Sequence, residues 1–261
     1  MGCGGWRRLQ VAHEARLRRK AAAVLPPPDQ KAAYVRDMFT DIAPRYDLLN
    51  GVMSLGMHHV WRRHAVRLAG LRAGDSALDV ATGTGDFAFA LARRVGPGGR
   101  VVGVDFSEGM LRLAARKSHA EGVEHFVSFE WADALDLPFE DDEFDAATVG
   151  FAGRNVTDLR RFFSEMRRVV RPGGRVVHLE LSKPTTPGFR TIYDAYLHYV
   201  VPRVGGALAG SRSAYTYLPN SLTPFPDPQS LAGVMREAGL EPVRWRPLAF
   251  GTVTLHIGVV R

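Results

Sequence analysis

The sequence predicts an α/β protein with a mostly parallel β-sheet and helices on both of its faces. Three observations support this class: short apolar runs alternate with helical patterns, glycine-rich stops separate them, and the first strand ends in a glycine-rich turn. Alternation at this spacing produces parallel strands joined by crossover helices. The seven predicted strands lie at residues 77–81, 101–105, 126–131, 145–150, 175–181, 242–250 and 253–260.

The predicted helices fill the gaps between these strands. Two stops rich in glycine and proline, at residues 96–99 and 171–174, each precede a strand and mark the end of a helix. The last two strands follow each other without a crossover helix, so we expect them to pair as an antiparallel edge of the sheet. The helical patterns lie at residues 87–95, 109–120, 159–170 and 227–238.

Two segments of the body, which we take as residues 31–261, lie outside this alternation. Residues 31–71 form a helical lead-in that we expect to cover the ligand site, and residues 182–226 form an insertion rich in tyrosine. Ligands of such sheets bind outside the carboxyl ends of the strands, so an insertion after a strand end is well placed to form a lid. The alternative, in which these aromatic side chains pack on the sheet edge as core, stays open.

The charge of the chain is concentrated in its first residues. The net charge is +7, and residues 1–31 carry seven basic and two acidic side chains, which leaves the rest nearly neutral. Residues 1–30 are therefore predicted to be a basic, flexible extension that ends in the stiff linker Pro26-Pro27-Pro28. Contact with an anionic membrane surface and a targeting peptide stay open as alternatives. Because the body offers no basic face, nucleic acid is not an expected partner.

The remaining composition is that of a globular protein. Cys3 is the only cysteine, so an internal disulfide and a thiolate metal cage are excluded. No apolar stretch approaches the roughly 18 residues that a transmembrane helix needs. We therefore predict a cytoplasmic protein, with peripheral membrane contact and assembly into a homo-oligomer left open.

The strongest local motif is the turn after the first predicted strand. Residues 77–86 read Ala-Leu-Asp-Val-Ala-Thr-Gly-Thr-Gly-Asp, and the second predicted strand ends in Asp105. Glycines allow the backbone to approach a ligand, and an acid about 20 residues later can accept both hydroxyls of a ribose. The pattern predicts a ligand that contains a ribose. A nicotinamide-dependent oxidoreductase would show the same opening.

Three further features favour S-adenosylmethionine as that ligand. Asp79 lies inside the first strand, where its carboxylate can orient the turn or meet the amino group of the ligand. Asp133 and Ala134 follow the third strand, where an acid and a backbone group can contact adenine. Residues 137–145 then lead through an acidic run into the fourth strand. The predicted cofactor residues are thus Asp79, Gly83, Thr84, Gly85, Asp105, Asp133 and Ala134.

This order of motifs resembles the class I S-adenosylmethionine-dependent methyltransferases, which have a Rossmann-like fold. A closer resemblance is to the ubiquinone/menaquinone C-methyltransferases of the UbiE/MenG type, and it extends from about Lys31 to the C-terminus. The matching segments are residues 46–50 (Tyr-Asp-Leu-Leu-Asn), 53–56, 61–62, 150–156, 179–184, 193–194, 215–218 and 251–256. The chain departs from the usual Gly-Phe-Gly-Leu-Arg-Asn of that family at Ala152 and Gly153, which puts the substrate range in question.

The resemblance implies methyl transfer from S-adenosylmethionine to a ring carbon of a prenylated hydroquinone. Phe189-Arg190 and Phe225-Pro226 look closer to the menaquinone-type members, which favours demethylmenaquinol over a benzoquinol of ubiquinone synthesis. A methyltransferase acting on a soluble small molecule is the other alternative.

Five residues are the candidate catalytic residues. From the resemblance, Arg154 is the leading candidate for catalysis, with Asn155 beside it. An arginine stays charged and can therefore stabilise a phenolate. Tyr46, Asp47 and Asn50 lie in the lead-in and complete the predicted site, with Asp47 as the better proton acceptor. For Asp47 and Asn50, roles as a helix cap and a turn residue are almost equally good alternatives.

No metal site is predicted. His58, His59 and His64 lack the spacing of metal ligands on a helix, and no acidic or thiolate residue lies near them in the sequence.

Overall fold

The computed structural model describes residues 25–184, 186, 188–209 and 212–261 and is built around one seven-stranded sheet. Of the extension predicted at residues 1–30, residues 1–24 lie outside this part of the chain, whereas residues 28–30 form the start of a helix. The strand order is β3-β2-β1-β4-β5-β7-β6. The strands are β1 (Ser76–Val80), β2 (Arg100–Asp105), β3 (Val127–Trp131), β4 (Phe144–Gly150), β5 (Val170–Leu181), β6 (Leu240–Leu248) and β7 (Val253–Val260).

The pairing of the strands confirms the predicted topology. Strands β1 to β5 pair in parallel, whereas β7 pairs antiparallel with both β5 and β6. The order reverses between β1 and β4, because β2 and β3 lie on one side of β1 and the later strands on the other. This reversal leaves a crevice at the carboxyl ends of β1 and β4, where doubly wound sheets bind their ligands.

One boundary differs clearly from the sequence prediction. The fifth strand begins at Val170, five residues before the predicted start, and includes residues 171–174 that were expected to form only a stop. The pairing of β4 with β5 shifts register between Phe144 and Ala146, so the glycine-rich segment forms an irregularity within the strand. Gly173 has a φ of +83°, which lets the chain bend there without leaving the sheet.

Helices cover both faces of the sheet. Alternate residues of β1 point to opposite sides, so Leu78 joins one apolar cluster and Ala77 joins the other. The first cluster buries Phe162 and Met166 of the helix after β4, and the second buries Leu91 of the helix after β1. Here the helices are α1 (Pro28–Ser54), α2 (Met57–Leu68), α3 (Asp86–Val95), α4 (Glu108–Glu121), α5 (Leu159–Arg168), α6 (Phe189–Ala195), α7 (Val201–Ala209), α8 (Arg212–Leu222) and α9 (Pro228–Glu237).

Helix α1 begins earlier than the predicted lead-in. Pro28 was assigned to the linker, but it occupies the first turn of α1, where a missing N–H costs nothing and the fixed φ suits a helix. Asp47 and Asn50 lie inside this helix, so their interpretation as cap and turn residues is wrong.

The lead-in and the insertion pack against each other above the sheet. Val35, Ile42 and Leu49 of α1 are buried in a third apolar cluster together with Leu197 and Tyr217 of the insertion. The insertion is helical, with α6 and α7 joined by a π-helical turn at Tyr196–Val200. No helix in the described ranges is long and apolar enough to cross a membrane.

Candidate active site

The turn after β1 is held in position by Asp105. Gly83 and Gly85 adopt φ values of +57° and +87°, which a residue with a side chain rarely adopts. The N–H of Gly83 donates a 2.9 Å hydrogen bond to Asp105 Oδ2, and the N–H of Ser107 donates one of 2.9 Å to Asp105 Oδ1. Burial raises the pKa of Asp105 to about 6. The carboxylate predicted to hold a ribose therefore also fixes the turn that faces the ligand.

Asp79 lies beneath this turn. Its side chain is buried and accepts hydrogen bonds from the hydroxyls of Thr82 at 2.6 Å and Thr148 at 2.8 Å. Burial raises the pKa of Asp79 to about 7. Both oxygens are thus used to tie β1 to the turn and to β4, so the geometry favours the orienting role over contact with the ligand's amino group.

The first cavity lies at the carboxyl ends of β1, β2 and β4 and has a volume of about 300 Å³. Of the predicted cofactor residues, Gly83, Asp105, Asp133 and Ala134 line it. Asp133 is exposed, and its Oδ1 accepts a 2.9 Å hydrogen bond from the N–H of Leu135. The cavity thus combines two carboxylates with apolar walls. This donor and acceptor set fits an adenosyl group, with ribose at Asp105 and adenine beside Asp133 and Ala134.

Thr84 and Gly85 stand behind the cavity wall, where Thr84 joins a charged network. The Thr84 hydroxyl donates to Asp47 Oδ1 at 2.5 Å. Lys117 on α4 donates to Asp47 Oδ2 at 2.9 Å and to Asp86 Oδ1 at 2.7 Å. Asp47 lines neither cavity, and its two oxygens already have donors. This placement favours a role in holding α1 on the turn over the predicted role as proton acceptor.

The second cavity lies between α1, α2 and the helical insertion, and its walls are mostly apolar with several aromatic side chains. It shares Phe39, Tyr46 and Phe151 with the first cavity, so the two ligand spaces adjoin at these residues. The other aromatic side chains of its lining are Trp61, Tyr193, Tyr196 and Tyr217. An enzyme that passes a small group from one ligand to another needs such adjoining spaces.

Arg154 is one of two buried cations that line the second cavity; the other, Arg62, forms an ion pair with Asp86. It lies in the short 3₁₀ helix Gly153–Asn155 after β4, and its Nη1 donates to Glu180 Oε1 at 2.7 Å. The same nitrogen donates to the carbonyl oxygen of Phe151, whereas Nε has no partner among the described residues. The side chains of Arg154 and Glu180 are 5% and 1% exposed, so little water reaches this ion pair. The guanidinium is held through Nη1, and its buried Nε–H has no hydrogen-bond partner among the described residues.

The other predicted catalytic residues flank this group. Tyr46 and Asn50 line the second cavity, and burial raises the pKa of Tyr46, which keeps its hydroxyl protonated. Asn155 lines the first cavity instead, and its Oδ1 accepts a 3.2 Å hydrogen bond from the hydroxyl of Tyr217. The structure therefore places Arg154, Tyr46 and Asn50 together on one ligand space and Asn155 on the other.

Gly153 is one of the two departures from the family pattern, and a buried histidine fills the space beside it. A Cβ atom at residue 153 would lie 2.5 Å from Nε2 of His178, which is too close for any contact. His178 is fully buried on β5, and burial lowers its pKa well below the ordinary value. The imidazole therefore occupies the space that a side chain at residue 153 would need.

Three residues around the site were not found from the sequence. Glu180 lies in a mostly apolar and buried part of β5 and gave no signal beyond its place in a matching segment, and Lys117 lies on an ordinary amphipathic helix. His58 was considered only as a metal ligand, for which no acid lay nearby in the sequence. That reason is wrong in three dimensions, because Asp86 Oδ2 lies 3.9 Å from His58 Nδ1.

Comparison with solved structures supports the class that this fold and site define. A methyltransferase dependent on S-adenosylmethionine from Aquifex aeolicus is similar with a TM-score of 0.57 at 18% identity, covering 77% of this chain and 89% of that one. The [4+2]-cyclase SpnF is similar with a TM-score of 0.65 at 18% identity, covering 91% and 97%. At such identities the likeness shows the fold alone. Fold and site together define an S-adenosylmethionine-dependent methyltransferase of class I.

Sequence comparison identifies the family. The model of the ubiE/COQ5 methyltransferase family matches residues 28–260. A demethylmenaquinone methyltransferase of Thermus thermophilus is 47% identical over 85% of this chain and 99% of its own length, and one of Bacillus cytotoxicus is 43% identical over 88% and 96%. A ubiquinone/menaquinone biosynthesis C-methyltransferase UbiE of Pectobacterium carotovorum is 40% identical over 88% and 92%. The chain belongs to the ubiE/COQ5 methyltransferase family, which confirms the resemblance and decides against a nicotinamide-dependent oxidoreductase.

Proposed function

We propose that this enzyme methylates a ring carbon of demethylmenaquinol to form menaquinol. S-adenosylmethionine supplies an electrophilic methyl group on a sulfonium centre. The relatives with 43–47% identity that are named demethylmenaquinone methyltransferases support the naphthoquinol as acceptor. In the reaction the S–CH₃ bond breaks and leaves the neutral thioether S-adenosylhomocysteine, a ring C–H bond is replaced by a C–CH₃ bond, and one proton is released.

The observation that carries the proposal is the buried Arg154 in a largely apolar cavity. A carbon atom is a poor nucleophile, but loss of a phenolic proton places electron density on the carbon next to the hydroxyl. Arg154 Nε is buried without a partner among the described residues, and a phenolate oxygen is an acceptor that fits it. Because the ion pair with Glu180 fixes the guanidinium in advance, stabilisation of the phenolate requires little reorganisation.

The aromatic wall shared by the two cavities supports transfer between adjoining ligands. Phe39, Tyr46 and Phe151 touch both spaces, and a planar naphthalene ring can pack against them while its reacting carbon faces the first cavity. Phe151 has a φ of +60°, so the backbone is strained at the point where the two spaces meet. Strain of this kind at a ligand contact is consistent with a position fixed for function.

A benzoquinol of ubiquinone synthesis is the second candidate acceptor. It is favoured by the UbiE relative, which is 40% identical and whose name includes both quinones. Arg154 and the aromatic walls suit either ring, so the choice rests on relative rates for the two acceptors.

We extend the proposal to peripheral contact with a membrane, because a polyprenyl chain is delivered from lipid. Leu55, Ile192 and Phe250 are 89%, 68% and 86% exposed. Each lies within two residues of a side chain that lines the second cavity, namely Ser54, Tyr193 and Thr252. Exposed apolar side chains around a cavity mouth suit contact with lipid. In this proposal the helical insertion at 182–226 acts as a lid and the basic tail adds attraction to anionic lipid.

Sedimentation with anionic vesicles tests the membrane contact. We expect Phe250→Ser combined with Leu55→Ser to lower the bound fraction, and Trp245→Ser, at a distant exposed aromatic on β6, to leave it unchanged. Deletion of residues 1–24 separates the contribution of the basic tail from that of the exposed apolar side chains. If the deletion leaves vesicle binding unchanged, the tail has no part in the membrane contact. If the double variant binds vesicles as wild type does, the apolar side chains around the cavity have no part in it.

A methyl-transfer assay tests the reaction itself. Labelled S-adenosylmethionine is supplied with reduced demethylmenaquinol or the matching benzoquinol, and label on the naphthoquinol ring supports the proposal. Arg154→Lys should lower kcat by about 100-fold or more, as loss of an oriented donor typically does. Arg168→Lys, which alters an ion pair with Glu165 away from both cavities, is the matched control. Label on the benzoquinol alone would contradict the naphthoquinol assignment.

A further inference from the structure

A second unpartnered donor lies in the wall of the acceptor cavity. Among the described residues, seven buried side-chain nitrogen or oxygen atoms lack a hydrogen-bond partner. Only two of the seven belong to residues that line the second cavity, Arg154 through Nε and His58 through Nε2. An unpaired buried polar atom leaves its cost of desolvation uncompensated, and a ligand that pairs it recovers this free energy. His58 therefore needs an explanation besides that already given for Arg154.

The neighbours of His58 determine which of its nitrogens carries the proton. Nδ1 is hydrogen-bonded to Arg62 Nη1, and a guanidinium can only donate, so Nδ1 accepts. Arg62 is fixed in turn by Asp86 Oδ2 at 3.2 Å. Burial, with a contribution from the Arg62 cation, lowers the pKa of His58 to about 4, so the ring is neutral at neutral pH. The single ring proton then lies on Nε2, so His58, in the wall of the cavity, carries one N–H that has no partner among the described residues.

We propose that His58 Nε2 donates a hydrogen bond to a second oxygen of the acceptor, so that the cavity selects aromatic rings carrying two oxygens. This inference rests on the proposed function, because a hydroquinone is a ring with two oxygens and Arg154 accounts for one of them. His58 is a specificity-determining residue in this assignment. It is not a base, since its accepting nitrogen is already used by Arg62.

A metal ion is the competing interpretation of the same cluster. Ligand atoms of His58, His59 and Asp86 all lie within 4.8 Å of one another. However, the two Asp86 oxygens already contact the cations Arg62 and Lys117, at 3.2 and 2.7 Å. A third cation would have to displace both of them, and it would compete with Arg62 for Nδ1 of His58. The cluster is better described as a charged network that orients the imidazole.

Equilibrium binding tests this inference without relying on turnover. The probes are reduced 1,4-dihydroxynaphthalene and 1-naphthol, titrated anaerobically into the full-length enzyme saturated with S-adenosylhomocysteine. We expect the wild-type enzyme to bind the diol about tenfold more tightly than 1-naphthol, the value of one buried hydrogen bond. His58→Leu should reduce this ratio to less than twofold. His58→Gln, which keeps an N–H donor, should restore most of the preference.

Two controls keep the result interpretable. His125→Leu changes an exposed histidine that lines neither cavity and should leave the ratio as in wild type. An unchanged affinity for S-adenosylhomocysteine shows that His58→Leu is folded. The inference is overturned if wild type does not prefer the diol, or if His58→Leu keeps the full preference. Failure of the proposed function looks different: the preference for the diol depends on His58, but no methyl group reaches demethylmenaquinol.

Discussion

Replacement of Asp79 by asparagine should make the protein more stable, and increasingly so as the pH rises. The carboxyl group is buried between the hydroxyls of Thr82 and Thr148, and burial raises its pKa from 3.8 to about 7. Ionisation is thus easier in the unfolded chain than in the folded protein. A group of this kind contributes stability that is fully present below pH 3.8 and is lost as the pH rises through 7.

The size of the effect follows from this shift. A rise of about three pKa units corresponds to about 4 kcal/mol between the two protonation states. Between pH 5 and pH 9, the free energy of unfolding of Asp79→Asn should therefore rise relative to wild type by about 3 kcal/mol. Asparagine can keep both hydroxyl contacts because its amide offers an acceptor and a donor and a threonine hydroxyl can serve either.

Urea denaturation at pH 5, 7 and 9 measures this difference. Asp37→Asn, which removes an exposed carboxylate of α1, serves as the control for a change in net charge. A difference between Asp79→Asn and wild type that stays constant across this range would refute the reasoning, because it would mean that the buried group does not titrate between these pH values.

Three further changes test the surroundings of the site. Glu180→Gln should lower kcat by about tenfold or more with little change in cofactor affinity, since it weakens the ion pair that holds the guanidinium of Arg154, the proposed catalytic group. Glu165→Gln, in an ion pair away from the cavities, is the matched control, and equal losses in both variants would contradict the role of Glu180. Gly153→Ala should lower the free energy of unfolding by about 1–3 kcal/mol, because the new methyl group meets His178. In a protein that also carries His178→Ala, most of this loss should disappear. An equal loss with and without His178→Ala would exclude the clash. Lys117→Met should raise the KM for S-adenosylmethionine in steady-state kinetics, because it removes the ion pairs by which Lys117 joins α1 to the start of α3. An unchanged KM would show that these ion pairs do not contribute to cofactor binding.

The sheet could be predicted because its determinants are local. Each predicted strand carries its own apolar run, and the antiparallel pairing of β6 with β7 follows from the absence of a crossover between them. The start of β5 was missed because a Pro-Gly-Gly segment usually ends an element, whereas here the register shift beside β4 accommodates it within the strand.

Site residues could be predicted only where they belong to a local sequence motif. Gly83, Asp105 and Asp133 stand at fixed points after strand ends, and the structure places all three on one cavity. The ion-pair partners of the proposed catalytic residues come from other parts of the chain. Glu180 lies 26 residues after Arg154 and contacts it because β4 and β5 are neighbours in the sheet. Buried ion pairs of this kind leave no periodic signal in a sequence.

The three side chains that divide the two cavities have a thermodynamic consequence. Phe39 and Tyr46 belong to α1 and Phe151 to the turn after β4, and the same three side chains line both cavities. Any shift of these side chains when one ligand binds changes the space that is left for the other. The factor by which bound cofactor changes the affinity for the quinol must equal the factor by which quinol changes the affinity for cofactor. Any substitution in this wall will therefore alter both dissociation constants and the coupling between them, and it should be measured with each ligand in the presence and absence of the other.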